Sequence, residues 1–115
     1  MLINLSNHPS SSWSEVQLAA AGGKTQVIDL SFPQIAPDGD EEYIKNIVNE
    51  YYDKIINTEG VNTVHLMGEM NFTFALVTKL KANGIKCVAS TTKRETVEEN
   101  GVKISKFQFV RFREY

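Results

Sequence analysis

The sequence predicts one α/β domain spanning residues 1–115, a mostly parallel sheet wound with helices on both faces and finished by a C-terminal β-hairpin. Three observations predict it. Apolar runs of strand length alternate with stretches of helical period as far as residue 89. Polar clusters, Ser6-Asn7-His8, Gly68-Glu69-Met70-Asn71 and Ser90-Thr91-Thr92-Lys93-Arg94, stand where three of those runs should stop. Beyond them the pattern becomes that of an antiparallel pair turning at Asn100-Gly101.

Taken in order, Leu2 to Leu5 reads as the first strand, and Ser12 opens a short helix with Glu15 three positions on, the reciprocal arrangement of a capping box. Trp13, Val16, Gln17 and Ala20 share a face of that helix, and Gly22-Gly23 stops it. Thr25 to Leu30 is the second strand. After a loop with Pro33 and Pro37, Asp38 and Glu41 cap a long helix whose inward stripe is Ile44, Ile47, Val48, Tyr51 and Ile55. Val61 to Met67 is the third strand, and Gly68 turns into a third helix carrying Phe72, Leu76 and Leu80 on one stripe, with Gly84 just past its end. Ile85 to Ala89 is the fourth strand. Glu95 to Glu98 and Val102 to Phe112 form the hairpin.

Right-handed crossovers give the strand order 2-1-3-4, extended by the hairpin. The switch point then falls between strands one and three, in a crevice walled by Asn7-His8 and by Gly68-Glu69. Every parallel strand delivers its C-terminal end to that rim, so clusters distant in sequence meet there.

Composition bounds the function. A hydrophobic fraction of 42% is that of an ordinary globular domain, and no apolar run approaches the roughly 20 residues that span a bilayer. Met1 to Leu5 lacks a basic flank and a long apolar stretch, so no signal peptide is expected, and the lone Cys87 agrees with a reducing compartment, the cytoplasm. A net charge of −2 argues against coating DNA. Residues 93–115 nevertheless carry six Lys and Arg against four Glu, a local excess suited to a small anionic ligand.

Several motifs are excluded. One glycine at Gly68 is not G-x-G-x-x-G, no P-loop lysine follows it, and no G-x-S-x-G elbow occurs. His8 and His65 have no partners at zinc-ligand spacing, so neither metal nor cofactor is expected. What remains is a rim of hydroxyls, amides, one histidine, one glutamate and flanking cations, which suits a phosphate or a ribose. His8 can move a proton and Glu69 can accept a ribose hydroxyl. Ser6, Asn7, Gly68, Asn71, Ser90, Thr91 and Thr92 can hold phosphate or base edges, Lys93 and Arg94 can offset anionic charge, and Trp13 can stack a base. Each also has a structural reading: His8 before Pro9 as a turn residue, His65 as a satisfied core histidine, Glu69 against a helix dipole, Thr91-Thr92 as plain strand residues with Arg94 a solvated cation, Trp13 as a core anchor, Cys87 as a core thiol. Three function classes stay open, namely a nucleotide-cleaving enzyme, a non-catalytic nucleotide sensor and a structural assembly protein.

Asn4-Leu5-Ser6-Asn7-His8-Pro9, Trp13, Gln17, the Asp29…Phe32-Pro33 turn, Met67-Gly68-Glu69 and the closing Phe109-Val110-Arg111-Phe112-Arg113-Glu114-Tyr115 together resemble small stand-alone CRISPR-associated proteins with a Rossmann-like (CARF-type) core. The resemblance implies binding of a cyclic oligoadenylate, the second messenger of type III CRISPR defence, by a homodimer that holds the ligand across its two-fold axis. For the ring nucleases among such proteins it implies metal-independent cleavage, in which a ribose 2′-hydroxyl attacks the neighbouring phosphorus. It carries over no catalytic set.

Overall fold

The computed structural model describes residues 1–115. Five strands form one sheet in the order β2-β1-β3-β4-β5: β1 Leu2–Ser6, β2 Val27–Asp29, β3 Thr63–Met67, β4 Lys86–Glu99 and β5 Val102–Glu114. Three helices join them, α1 Glu15–Ala20, α2 Glu41–Ile56 and α3 Met70–Ala82. β1 pairs in parallel with β2 and β3, β3 pairs in parallel with β4, and β4 with β5 is antiparallel. The expected fold class and strand order are those observed.

Side-chain alternation sorts the core onto two unequal faces. On one, Ile3, Leu5, Val64, Leu66 and Cys87 pack against Val48 and Ile55 of α2 and against Phe72, Leu76, Val77 and Leu80 of α3. Burying each such side chain stabilises the fold by about 1.5–3 kcal/mol. The stripe expected of α2 is confirmed, with Ile44, Ile47 and Tyr51 partly buried against the same cluster. The other face carries only a small cluster, Leu2, Trp13 and Val88, roofed by Leu18, Ala21, Val27 and Phe112. Asn4, Ser6 and His65 are buried on this thinner side.

Two helix starts lie two residues later than the sequence suggests. Ser10–Ser12 winds as a 3₁₀ turn, in which the Ser12 hydroxyl donates to the Pro9 carbonyl at 2.8 Å, so that side chain is spent. Trp13 is extended and Ser14 caps α1, its side chain accepting from the Gln17 N–H. Trp13 therefore lies outside the helix it was assigned to, and Val16 of that helix is exposed. In the same way, the Gly39 N–H closes a turn on Ala36, and Asp40 rather than Asp38 caps α2 through the Tyr43 N–H.

The largest correction concerns β4. Ser90 to Arg94, expected as a rim cluster beyond a strand ending at Ala89, lies inside the strand, which agrees with the plain-strand reading of Thr91-Thr92. β3 leaves β4 at the pair His65↔Val88, but β5 continues beside β4 from Val88↔Glu114 to Glu99↔Val102. The antiparallel partner supplies the ladder bonds that the parallel one no longer gives, and β-branched Thr91 and Thr92 suit an extended ribbon. Val110 is an extra residue, because Thr91 faces Arg111 while Thr92 faces Phe109. The expected turn is confirmed, with Asn100 and Gly101 both at positive φ, 53° and 76°.

Candidate functional site

β1 and β3 end side by side, and the ribbon arches over them to enclose an open cavity of about 820 Å³. Ser6 at the end of β1 lines it together with Asn7 and His8, and Met67 at the end of β3 together with Gly68. Trp13, Ser14 and Gln17 reach it from the α1 side, and Ser90, Thr92, Phe107, Gln108 and Phe109 from the ribbon. The lining holds both histidines and no Asp, Glu, Lys or Arg.

Under this cavity runs a chain of polar side chains whose proton positions are dictated by its ends. Asn4 Nδ2 donates to the His8 carbonyl at 2.8 Å and to Asp29 Oδ1 at 2.9 Å, two groups that only accept. Asn4 Oδ1 must then be the accepting end, and it receives the Ser6 hydroxyl at 2.8 Å and His65 Nδ1 at 2.9 Å. Nδ1 of His65 therefore carries the proton, leaving Nε2 as a bare acceptor 2.7 Å from Ser90 Oγ. Gln17 Nε2 donates to the same Ser90 Oγ at 3.2 Å. The order is Asp29, Asn4, His65, Ser90, with the last hydroxyl at the cavity.

Electrostatics agree with that assignment. Burial pushes the His65 imidazole down to a pKa of about 4, with the neighbouring His8 adding to the effect, so His65 is neutral at pH 7. For Asp29 partial burial works to raise the pKa, but hydrogen bonds from the Ser10 hydroxyl, Asn4 and the Ser10 N–H outweigh it and hold the carboxyl below its usual value. The chain thus ends on an ionised carboxylate. Trp13 and Phe112 stand edge-on to the His65 ring at 5.3 and 5.4 Å and close it from two sides.

His8 is exposed at the cavity mouth, and its carbonyl is pinned by the Trp13 indole N–H at 3.1 Å as well as by Asn4. Trp13 is both wall and anchor, 8% exposed. Gly68 is required by packing, since a Cβ there would sit 2.1 Å from the Phe32 ring.

The structure separates the other expected residues from this cavity. Glu69 caps α3, its carboxylate accepting from the Asn71 and Phe72 N–H groups. Asn71 borders a different cleft, between α2 and α3. Thr91 exchanges hydrogen bonds with the Arg111 backbone, at 3.1 and 3.2 Å. Lys93 points with Thr91 to the far side of the ribbon, while Arg94 shares the cavity face but lies further along it, bonded to Ser105 Oγ at 3.0 Å. His65, Gln17, Asn4, Asp29, Phe107, Gln108 and Phe109 belong to the site although the sequence does not mark them as site residues. One signal was readable: Asn4 and His65 are polar residues inside apolar strands, each two positions before its strand's last residue, and they are paired in register.

This is a doubly wound α/β domain with an aromatic, uncharged cavity at its switch point and a histidine-centred polar chain beneath. The chain belongs to the uncharacterized protein MJ1673 family, whose model matches residues 1–113. No curated protein and no solved structure matches it.

Proposed function

We propose that the protein is a cytoplasmic homodimer that binds a cyclic oligoadenylate at this cavity and cleaves it without a metal, as a ring nuclease of type III CRISPR defence. One observation carries the reading: both histidines of the chain meet in one rim cavity beside Trp13, Phe107 and Phe109. Adenine bases stack on aromatic faces with about 1–3 kcal/mol each, and hydroxyl, amide and backbone donors serve ribose and phosphate. A neutral imidazole and a second, exposed imidazole are the pair that transesterification needs, one group taking a proton and one giving it. The CRISPR-associated resemblance, which spans most of the chain and includes Asn4, His8, Trp13, Gln17 and Asp29, supports the same ligand class. No helix is long and apolar enough to cross a membrane.

The test is incubation with cyclic tetra-adenylate in the presence of EDTA, with products followed by chromatography and binding by calorimetry. Linear products or 2′,3′-cyclic phosphates are the expected result. Binding without products would make the protein a non-catalytic sensor, and the absence of binding to any cyclic oligoadenylate would refute the reading.

A further inference from the structure

The buried polar chain is a costly thing to build under a sheet. Asn4 and His65 are each 2% exposed, and polar groups so placed stabilise nothing unless every one is satisfied. Here every donor and acceptor named above points one way. Asp29 fixes the Asn4 amide, the amide fixes the His65 tautomer, and the tautomer aims a lone pair at one hydroxyl on a cavity wall. A core histidine needs only a partner for each nitrogen. It does not need its partner to be a half-buried serine at the end of a ligand-sized space, met there by Gln17 from another element.

We infer that Ser90 is an activated hydroxyl: it takes the proton of an attacking group in the cavity while passing its own proton to Nε2 of His65. This rests on the nucleotide reading for the identity of the attacking group, a ribose 2′-hydroxyl. In that step the 2′-oxygen forms a bond to phosphorus, its proton moves to Ser90 Oγ, and the Ser90 proton moves to His65. The P–O5′ bond breaks, and the leaving O5′ takes a proton from His8 in its imidazolium form. The product is a 2′,3′-cyclic phosphate, and no water or metal enters the balance. Ser90 touches the substrate and is catalytic, whereas Asn4 and Asp29 are positioning residues that hold the acceptor ready.

Two measurements test this, one of them free of nucleotide. Diisopropyl fluorophosphate reports an activated serine directly: Ser90 Oγ bonds to phosphorus, fluoride leaves, and the proton goes to His65. Mass spectrometry is expected to place the adduct on Ser90 in the native protein, with His65→Gln labelled at least about ten-fold more slowly. With cyclic tetra-adenylate, Ser90→Ala is expected to lose about 100-fold in single-turnover rate with affinity changed less than about three-fold, and Ser90→Thr, which keeps the hydroxyl, to recover most of the rate. Wild-type cleavage by Ser90→Ala, equal losses of binding and rate, or a native Ser90 that resists the reagent would each overturn the relay. Labelling of Ser90 in a protein that neither binds nor cleaves cyclic oligoadenylates would instead refute the nucleotide reading and leave the activated hydroxyl standing.

Discussion

At the scale of single residues, His8 and Glu69 separate cleanly although the sequence offers both as rim groups. His8→Ala is expected to slow cleavage by about 10²–10⁴-fold, the usual worth of a positioned proton donor, while weakening binding by a smaller factor. An unchanged single-turnover rate in the folded variant removes His8 from the chemistry. Glu69 spends its carboxylate on the start of α3, so Glu69→Ala should cost about 1 kcal/mol in urea unfolding and leave cleavage intact. His65 also predicts a pH dependence. Its folded pKa of about 4 lies below the unfolded value near 6.5, so the unfolded chain binds the proton first. Stability should fall by about 3 kcal/mol as pH drops from 6.5 to 4 and then level off, with the further loss from Asp29 beginning only below its ordinary 3.8. Urea midpoints for His65→Gln should be flatter across that window, and a parallel curve would contradict the assignment. The sequence shows His65 only as a polar residue among apolar ones. Its role depends on which residues of β1 and β4 flank it, and that is fixed by register, which a single strand does not encode.

At the scale of elements, the parallel half of the sheet and the closing hairpin are legible in the sequence, and the full length of β4 is not. Apolar runs of strand length and the stripes of α2 and α3 follow directly from burial, so Phe72, Leu76 and Leu80 were readable as core. β4 misleads because its composition changes at Ser90 while its backbone does not: the strand pairs with β3 up to Val88, and from Ala89 onward it faces only β5. That extension turns Phe107 and Phe109 from hairpin residues into cavity wall. Phe107 is 68% exposed, so it contributes little to folding in the free protein. Phe107→Ala is therefore expected to weaken cyclic tetra-adenylate binding by about five- to 150-fold, the range for loss of one base-stacking face, with the thermal midpoint nearly unchanged. Loss of stability without loss of affinity would make Phe107 a structural residue and take the ribbon out of the site.

For the whole molecule, the same ribbon argues for a second copy of the chain. A two-stranded hairpin alone in water is marginally stable, yet here it runs on past its parallel neighbour β3 in a molecule measuring 50 × 36 × 21 Å overall. Its far face gathers Val97 and Ile104, directly paired across the strands, with Val102 beside them, and all three are exposed. Apolar side chains clustered on a protruding edge favour association, and two-fold pairing of identical ribbons through this face would bury them. Sedimentation equilibrium at micromolar concentration should accordingly give twice the chain mass with or without ligand. Ile104→Lys, which places two charges against each other across the axis, should shift the protein towards monomer, although residue 104 does not line this cavity. A native protein that sediments as a monomer would remove the dimer, and a monomeric Ile104→Lys variant with undiminished affinity would show that each cavity holds its ligand alone.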